Sequence, residues 1–230
     1  MKQVNVRAAY NASLTSYELE IEGARRLLLA PAEDALPGNV ELVVRFCVDN
    51  GIDFVLSRNK EAFSCRDASG KRKRLGRTGI PLYDEFKTIV FKGVDDTLRE
   101  KAIFVHCRGD LKIDLERLTK CCKLIREPVI MPKNELSARF GMEFGIVNPF
   151  LIEMQGKSEA LHVFDKSLLT YMTVYPGTMM TNAGEHTWGI EFDPLPLIGA
   201  VDQKIIAEVA YPDGEPRPLK AGIIPMAATG

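Results

Sequence analysis

The sequence lacks the features that mark a membrane or exported protein. No apolar run approaches the ~20 residues that a membrane-spanning helix needs, and the first residues, MKQVNVRAAYNAS, contain no apolar stretch typical of a secretory signal. An excess of one charge is also lacking, because 30 basic residues face 31 acidic ones. We therefore expect a cytoplasmic protein without a membrane partner, in which a local patch binds any polyanion.

Cysteine is scarce and shows no metal or disulfide pattern. The five cysteines form no C-x-x-C pair and do not cluster with the three histidines. There is also no H-E-x-x-H motif, no G-x-S-x-G elbow, and no glycine-rich nucleotide fingerprint. These absences argue against a metal site, a serine-hydrolase triad and a phosphate cradle. We expect reduced thiols and no metal or organic cofactor.

Strand and helix signals alternate along a chain that is 46% hydrophobic. The clearest strand is Phe86–Lys92, and turn residues separate it from a strand over Ala102–Cys107, which predicts a hairpin. A further strand is predicted at Met172–Tyr175, with others near His162 and Trp188. Four helices are predicted, from Asn39 to Val48, Ser64 to Leu75, Asp114 to Cys122 and Pro132 to Ala138. Hairpins mixed with helices indicate an α+β fold with a mixed sheet.

Proline and glycine mark two boundaries in the chain. The stretch PAEDALPGN, residues 31–39, follows a segment in which alternating apolar and charged residues favour a β-hairpin. The stretch YPDGEPRP, residues 211–218, precedes a short tail. We predict one domain over residues 39–211, preceded by an extension, residues 1–38, and followed by a tail, residues 212–230.

A basic cluster stands out in this neutral chain. Between Arg58 and Arg77 lie eight basic and two acidic residues, a local net charge of +6. On a helix, the run KRKR would present cations in several directions and suit a phosphate backbone. A solvated helix end whose cations are favoured by the macrodipole is an equally good interpretation. The candidate polyanion-binding residues are Lys71, Arg72, Lys73, Arg74 and Arg77.

One lysine lies inside the clearest strand. Because strand residues alternate between faces, Lys87 shares a face with Ile89 and Phe91. A cation beside apolar side chains can hold a carbonyl or phosphate oxygen at the rim of a cavity. A lysine that reaches water along its apolar stem is the simpler interpretation.

Two loops concentrate glycine and small polar residues. In GMEFGIVNPF, residues 141–150, the glycines and proline form a loop whose N–H groups can face an oxyanion or carboxylate. A helix end at Gly141 followed by a turn explains the same residues. In TNAGEHT, residues 181–187, His186 can orient a substrate or a water, whereas an exposed hairpin turn is the simpler alternative.

Taken in this order, the segments resemble the YbaK/prolyl-tRNA synthetase-associated domain family of aminoacyl-tRNA editing domains. The resemblance covers roughly residues 40–211 and rests on VELVVRFCVDNGIDF, FSCRDASGKRKRLG, EFKTIVF, GMEFGIVNPF and TNAGEHTWGIEF. It implies a single domain with a curved, partly barrel-like mixed sheet flanked by helices. It also implies hydrolysis, in trans and without a cofactor, of the ester that joins an amino acid to the 3′ adenosine of a mischarged tRNA.

The resemblance assigns roles to individual residues. Lys87 matches the lysine that family members need, and Gly145 and Pro149 match the family's G-x-x-x-P loop, so Lys87 and Gly145 are the catalytic candidates. The basic run becomes the candidate tRNA-binding surface. The substrate-binding candidates are Thr88, Ile146, Asn148, Pro149, Asn182, Ala183, Gly184 and His186.

Two positions depart from the family pattern and keep other functions open. Ile146 and Asn148 stand where the family usually has a second glycine and a serine. The alternative is a non-catalytic module that binds a tRNA end, an amino acid or an aminoacyl-tRNA synthetase, and a hydrolase of small esters is a third interpretation. Restoring glycine and serine is expected to alter an editing pocket and to leave a binding module unchanged.

Overall fold

The computed structural model describes most of the chain. For residues 6–11, 16–21 and 24–29 and for Arg77 it describes the backbone alone. The described stretches are residues 6–11, 16–21, 24–29, 36–74, 77–154, 160–174 and 177–213.

These residues form an α+β domain of helices and mostly short strands. The helices are α1 (Gly38–Asp49), α2 (Cys65–Lys71), α3 (Leu115–Cys121), α4 (Lys133–Phe140), α5 (Pro149–Met154), α6 (Lys166–Val174) and α7 (Pro194–Ala200). The strands are β1 (Val6–Asn11), β2 (Ser16–Ile21), β3 (Ala24–Leu29), β4 (Phe54–Arg58), β5 (Lys73–Arg74), β6 (Arg77–Thr78), β7 (Phe86–Val94), β8 (Glu100–Arg108), β9 (Leu111–Ile113), β10 (Val129–Ile130), β11 (Ala160–Asp165), β12 (Met179–Asn182), β13 (Trp188–Phe192), β14 (Lys204–Ala207) and β15 (Ala210–Pro212).

Two mixed sheets form the frame of the domain. The first has the strand order β1-β2-β3-β4-β13-β12, in which only β3 and β4 run parallel. The second has the order β10-β7-β8-β11-β14, antiparallel as far as β8 and parallel from β8 to β14. The predicted α+β fold with a mixed sheet is therefore confirmed, as open sheets rather than a closed barrel.

The β7–β8 hairpin is covered on both faces, which explains its high apolar content. Phe86 and Val90 face the main core, where the rings of Phe86 and Phe192 lie 5.4 Å apart. Phe91 faces a smaller core on the opposite side, together with Ile103 and α3. Fully burying a phenylalanine side chain contributes roughly 1.5–3 kcal/mol, so this hairpin supplies much of the stability of the domain.

Two of the predicted helix starts are confirmed in detail. Ser64 Oγ accepts a hydrogen bond from the backbone N–H of Asp67 (3.2 Å), and the Asp67 carboxylate accepts one from the N–H of Phe63 (3.3 Å). This reciprocal capping satisfies donors at the start of α2. Asp114 caps α3 with its own carboxylate, which accepts hydrogen bonds from the N–H groups of Glu116 and Arg117.

Three local predictions are wrong. The helix predicted to reach Leu75 ends at Lys71, because Arg72 takes an extended conformation and the next residue, Lys73, donates its N–H to the side chain of Asn59. The strand predicted over Met172–Tyr175 is wrong because α6 continues through Val174. Asn39 is the second residue of α1 and not its cap. Its side-chain amide instead donates to the carbonyl oxygen of Gly184 (3.2 Å).

Among the described residues, no helix combines the length and apolar character needed to cross a membrane.

The β7–β8 turn is organised by one carboxylate. Asp95 Oδ1 accepts hydrogen bonds from the N–H groups of Thr97 (2.9 Å) and Arg99 (3.0 Å) and from the Thr97 hydroxyl (2.6 Å). The ammonium of Lys101 lies 3.5 Å from Oδ2. These contacts stabilise the charged form, so the turn depends on Asp95 being ionised.

We expect Asp95→Asn to lower the stability of the domain near neutral pH and to weaken its dependence on pH under acidic conditions. The Thr97 hydroxyl and the Arg99 N–H lower the pKa of Asp95 from 3.8 to about 2. A carboxyl group with a lowered folded-state pKa stabilises the fold above its unfolded pKa, about 3.9. That contribution is lost as the pH falls toward 2. Denaturant midpoints of the wild type and the variant, measured at neutral pH and at about pH 2.5, test whether the stabilisation by Asp95 is lost on acidification.

The matched control for this substitution is Asp96→Asn, which makes the same chemical change at the exposed neighbouring position. It should leave both midpoints close to those of the wild type. Equal effects of the two substitutions would contradict the role assigned to Asp95.

Candidate functional site

A cavity of about 220 Å³ lies beside the first half of β7. Five separate parts of the chain supply its walls: residues 62–72 around α2, residues 85–90 at the start of β7, residues 131–136, residues 144–147, and the region from β12 to His186. Met131 and Leu136 close the apolar side. The sheet register and the loops thus bring together segments that lie far apart in the sequence.

Five of the predicted catalytic and substrate-binding residues line this cavity. They are Lys87, Thr88, Gly145, Asn182 and His186. Lys87 and Thr88 are successive strand residues and leave β7 on opposite faces, yet both contribute to the lining. The residues with the strongest predicted roles therefore meet at one place.

The other predicted pocket residues do not line the cavity in the described part of the chain. Asn148 is fully buried, donates to Asn182 Oδ1 (2.9 Å) and accepts from the N–H of Leu151 at the start of α5 (3.0 Å). Ile146 is also buried, and Gly145 and Val147 on either side of it line the cavity instead. Substitutions at Ile146 and Asn148 would test packing of the loop and would not discriminate an editing pocket from a binding module.

The remaining three predicted substrate-binding residues support the fold and do not line the cavity. Pro149 is buried at the start of α5, and Ala183 is fully buried. Gly184 has a φ of +89°, and a Cβ built there would lie 2.8 Å from the Cβ of Asn39. These residues position α1 and α5 behind the cavity wall.

Gly145 and His186 are in direct contact. Gly145 has a φ of +97°, and a Cβ built on it would lie 3.2 Å from Cε1 of His186. The histidine ring is held on its other sides by the carbonyl oxygen of Ala62, 3.2 Å from Nδ1, and by the ring of Phe63, 5.0 Å between centroids. The glycine therefore allows the loop to approach the ring closely.

Lys87 is held by backbone oxygens. Its ammonium donates to the carbonyl oxygens of Leu111 and, at 3.4 Å, Gly109. A lysine ammonium has three N–H donors, so two are engaged by the protein. The cation is fixed in place at the end of the strand.

A buried ion pair forms part of the wall. The side chains of Arg72 and Glu85 are 7% and 1% exposed, and Arg72 Nε lies 3.1 Å from Glu85 Oε1. Burial raises the pKa of Glu85, and the charge of Arg72 opposes that rise. This pair was not predicted as a unit, because its members are 13 residues apart and only the bend after α2 brings them together.

Two arginines of the predicted basic patch are engaged in ion pairs within the domain. Arg72 pairs with Glu85, and Arg74 lies 2.6 Å from Asp84 and 2.8 Å from Glu191. The two arginines were expected to present exposed cations on a helix. Because α2 ends before them, their side chains instead turn toward these acidic residues of the domain. Lys71 pairs with Asp67 at 2.7 Å, Lys73 is exposed, and the side chain of Arg77 lies outside the described residues.

Several polar groups at the cavity were missed from the sequence. Thr88 Oγ1 lies 3.0 Å from Nδ1 of the fully buried His106, which in turn contacts His162. Cys65 lines the cavity, but burial raises its pKa to about 11, so the thiol is protonated at neutral pH and is a poor nucleophile. The available signal was a histidine inside each of two apolar strands, IFVHC and ALHVF.

No three His, Cys, Asp or Glu side chains converge as a metal-binding group within the described residues.

We expect Arg72→Met to lower the free energy of unfolding by about 3–5 kcal/mol, because it leaves the Glu85 charge buried without its partner. The double variant Arg72→Met/Glu85→Leu should recover much of this loss, since it removes both charges. Lys73→Met, at the exposed neighbouring position, is the matched control and should change stability by less than about 0.5 kcal/mol. Chemical denaturation measures all three. An Arg72→Met variant as stable as the control would show that the pair is not structural.

One family model matches about half of the chain. Residues 74–187 match the family described as the aminoacyl-tRNA editing domain. This stretch contains the cavity residues Lys87, Gly145 and Asn182. No protein with a curated description matches the chain significantly.

Solved structures share the fold at low sequence identity. The chain is similar to the crystal structure of the hypothetical protein APE2540, with a TM-score of 0.58 and 18% identity, covering 74% of this chain and 99% of that one. It is also similar to a structure from work on epitope backbone grafting by computational design, with a TM-score of 0.53 and 14% identity, covering 77% of this chain and 99% of that one. The match over residues 74–187 supports the aminoacyl-tRNA editing-domain family for this chain and, with it, a role related to tRNA editing.

Proposed function

We propose that this protein is an aminoacyl-tRNA deacylase that hydrolyses the ester of a mischarged tRNA in trans, as a YbaK-type member of the editing-domain family. The observation that carries the proposal is the cavity in which Lys87, Thr88, Gly145, Asn182 and His186 meet. The family match supports an aminoacyl-tRNA as the substrate class. A synthetase partner and a cytoplasmic location remain predictions.

The chemistry needs only a positioned water and a stabilised oxyanion. An aminoacyl ester is activated, so water oxygen can attack its carbonyl carbon without a covalent enzyme intermediate. The bond from that carbon to the ribose oxygen then breaks, and the oxygen takes up a proton to give the free amino acid and the free tRNA end. The protonated thiol of Cys65 is consistent with a mechanism that uses no cysteine nucleophile.

Lys87 and Gly145 supply the electrostatic part of this proposal. Two N–H groups of Lys87 are engaged by the carbonyls of Gly109 and Leu111, which leaves one for an oxygen of the acyl group or the terminal adenosine. The backbone around Gly145 offers N–H groups to the carbonyl or the amino acid. We place the amino-acid side chain against the apolar wall formed by Met131 and Leu136.

Two exposed aromatic residues suit the RNA part of the substrate. Phe63 and Phe144 line the cavity yet are 62% and 51% exposed. The ammonium of Lys133 lies 5.2 Å from the ring centroid of Phe144. An exposed ring at the mouth of a cavity can stack on a base, and the exposed Lys73 can approach a phosphate. We assign the terminal adenosine to this rim.

We expect Lys87→Met to lower kcat for deacylation by about 10²–10³, as removal of one oxyanion donor does in other enzymes. Methionine keeps the apolar stem and removes the charge. Release of labelled amino acid from a panel of mischarged tRNAs, at low salt so that weak electrostatic binding is retained, measures the effect. Lys92→Met is the matched control, because Lys92 lies on the same strand but pairs with Glu135 away from the cavity wall.

The outcomes separate the proposed functions. Unchanged turnover by a folded Lys87→Met variant would remove Lys87 from the mechanism. Binding of tRNA without hydrolysis by the wild type would favour the non-catalytic module. Salt-insensitive hydrolysis of small aminoacyl esters, with no preference for tRNA, would favour an RNA-independent hydrolase.

We expect Phe144→Ser to raise KM for aminoacyl-tRNA about tenfold, since stacking on one base contributes roughly 1–3 kcal/mol. Hydrolysis of an aminoacyl ester of a small alcohol should not change, because that substrate has no base. Ile125→Ser is the control, with a side chain that is 56% exposed and outside the cavity lining. An equal loss with both substrates would mean that Phe144 shapes the cavity and does not bind the base.

A further inference from the structure

A chain of polar side chains leads from the cavity through the main core. Thr88 Oγ1 lies 3.0 Å from His106 Nδ1, and His106 Nε2 lies 2.9 Å from His162 Nδ1. His162 Nε2 lies 3.1 Å from Glu153 Oε1, although this oxygen is out of line with the ring N–H. The three contacts cross β7, β8 and β11 and end on α5.

The two histidines are buried among aromatic rings. Both are fully inaccessible to solvent, and their rings lie edge to edge, with planes 12° apart and centroids 5.1 Å apart. The ring of Phe164 lies 4.5 Å from that of His106, and the ring of Phe104 lies 5.6 Å from that of His162. Burial and the neighbouring His162 hold the pKa of His106 well below its ordinary value. His106 is therefore neutral, with one donor and one acceptor nitrogen.

The carboxylate of Glu153 favours one direction for the hydrogen bonds of this series. A lone pair on His162 Nε2 would be repelled by the carboxylate oxygen 3.1 Å away, so the contact favours the tautomer of His162 that carries its proton on Nε2. His162 Nδ1 then accepts from His106 Nε2–H, and His106 Nδ1 accepts from the Thr88 hydroxyl. The proton of Thr88 is thereby directed away from the cavity.

We propose that the His106–His162 pair makes Thr88 a fixed hydrogen-bond acceptor that orients the attacking water in the cavity. With its own proton engaged, Thr88 Oγ1 presents only lone pairs to the cavity that it lines. A water that donates one proton to Oγ1 has its oxygen lone pair free to face the ester carbonyl. His106, His162 and Glu153 act as positioning residues. This inference rests on the proposed deacylase function.

The acceptor could serve the α-ammonium group of the substrate instead, and this alternative predicts a different kinetic result. Loss of an ammonium contact would weaken binding and would disappear for an N-acetylated aminoacyl-tRNA. Loss of the oriented water would lower kcat for the free and the N-acetylated substrate alike. The comparison of the two substrates is therefore part of the test.

The test compares Thr88→Val with Thr88→Ser in the full-length chain. Valine has the shape of threonine but no hydrogen-bond acceptor. We expect Thr88→Val to lower kcat on the order of 10²-fold, which is the cost of a misplaced reacting group. KM should be unchanged for both the free and the N-acetylated substrate. Serine keeps the hydroxyl and should retain most of the turnover. Turnover by Thr88→Val equal to the wild type, or a loss confined to KM, would overturn the proposal.

The protonation of the two histidines and the effect of replacing Glu153 give a second and independent test. In ¹⁵N spectra of histidine side chains, Nε2 of His106 and of His162 should carry a proton and Nδ1 should not, and Thr88→Val should shift the His106 Nδ1 resonance. Glu153→Gln should lower kcat, whereas Glu208→Gln, at a position that is 66% exposed on its side chain, should not. A proton on Nδ1 of either histidine would overturn the assigned direction.

Failure of the proposed function can be told apart from failure of this inference. A wild type that hydrolyses no mischarged tRNA refutes the deacylase function and, with it, the oriented water. An active wild type whose turnover is insensitive to Thr88→Val refutes the inference alone.

Discussion

The burial of the β7–β8 hairpin on both faces is the constraint on which the rest of the structure depends. One face packs into the main core and the other packs under α3, so the polar groups that these strands bury must find partners inside the protein. Lys87 finds carbonyl oxygens at the strand end, and Thr88 finds His106. The polar groups at the cavity are consequently held in one arrangement, which is the preorganisation that an electrostatic mechanism requires.

Charge in this region follows the same constraint. The run that looks like a nucleic-acid patch lies where the chain turns back toward β7, and two of its arginines enter the protein to neutralise Glu85, Asp84 and Glu191. A charge inside a protein is tolerated only when it is paired. Arg72 therefore forms part of the cavity wall. Phe63, Phe144 and Lys133 remain exposed, and the two phenylalanines line the mouth of the cavity.

Local signals predicted the elements whose determinants lie close together in sequence. The β7–β8 hairpin followed from adjacent runs of β-branched and aromatic residues, and the start of α2 followed from Ser64 and Asp67. The end of α2 was missed, since a contact between Lys73 and Asn59, 14 residues earlier, decides it. The same limit applies to the site. Lys87 and the loop of Gly145 stood out from local patterns, and the family resemblance gave them roles, whereas the contacts from Thr88 to Glu153 join residues from three strands and a helix.

The sequence by itself determined the class of the fold, the position of its main hairpin and the segments that border the cavity, because hydrophobic periodicity and turn chemistry act over a few residues. Only the tertiary structure decided which of those residues face the cavity and which support it. Ile146 and Asn148 alternate with Gly145 and Val147, yet only the latter pair lines the wall. Burial depends on what packs against each face, and the partners of these residues come from distant parts of the chain.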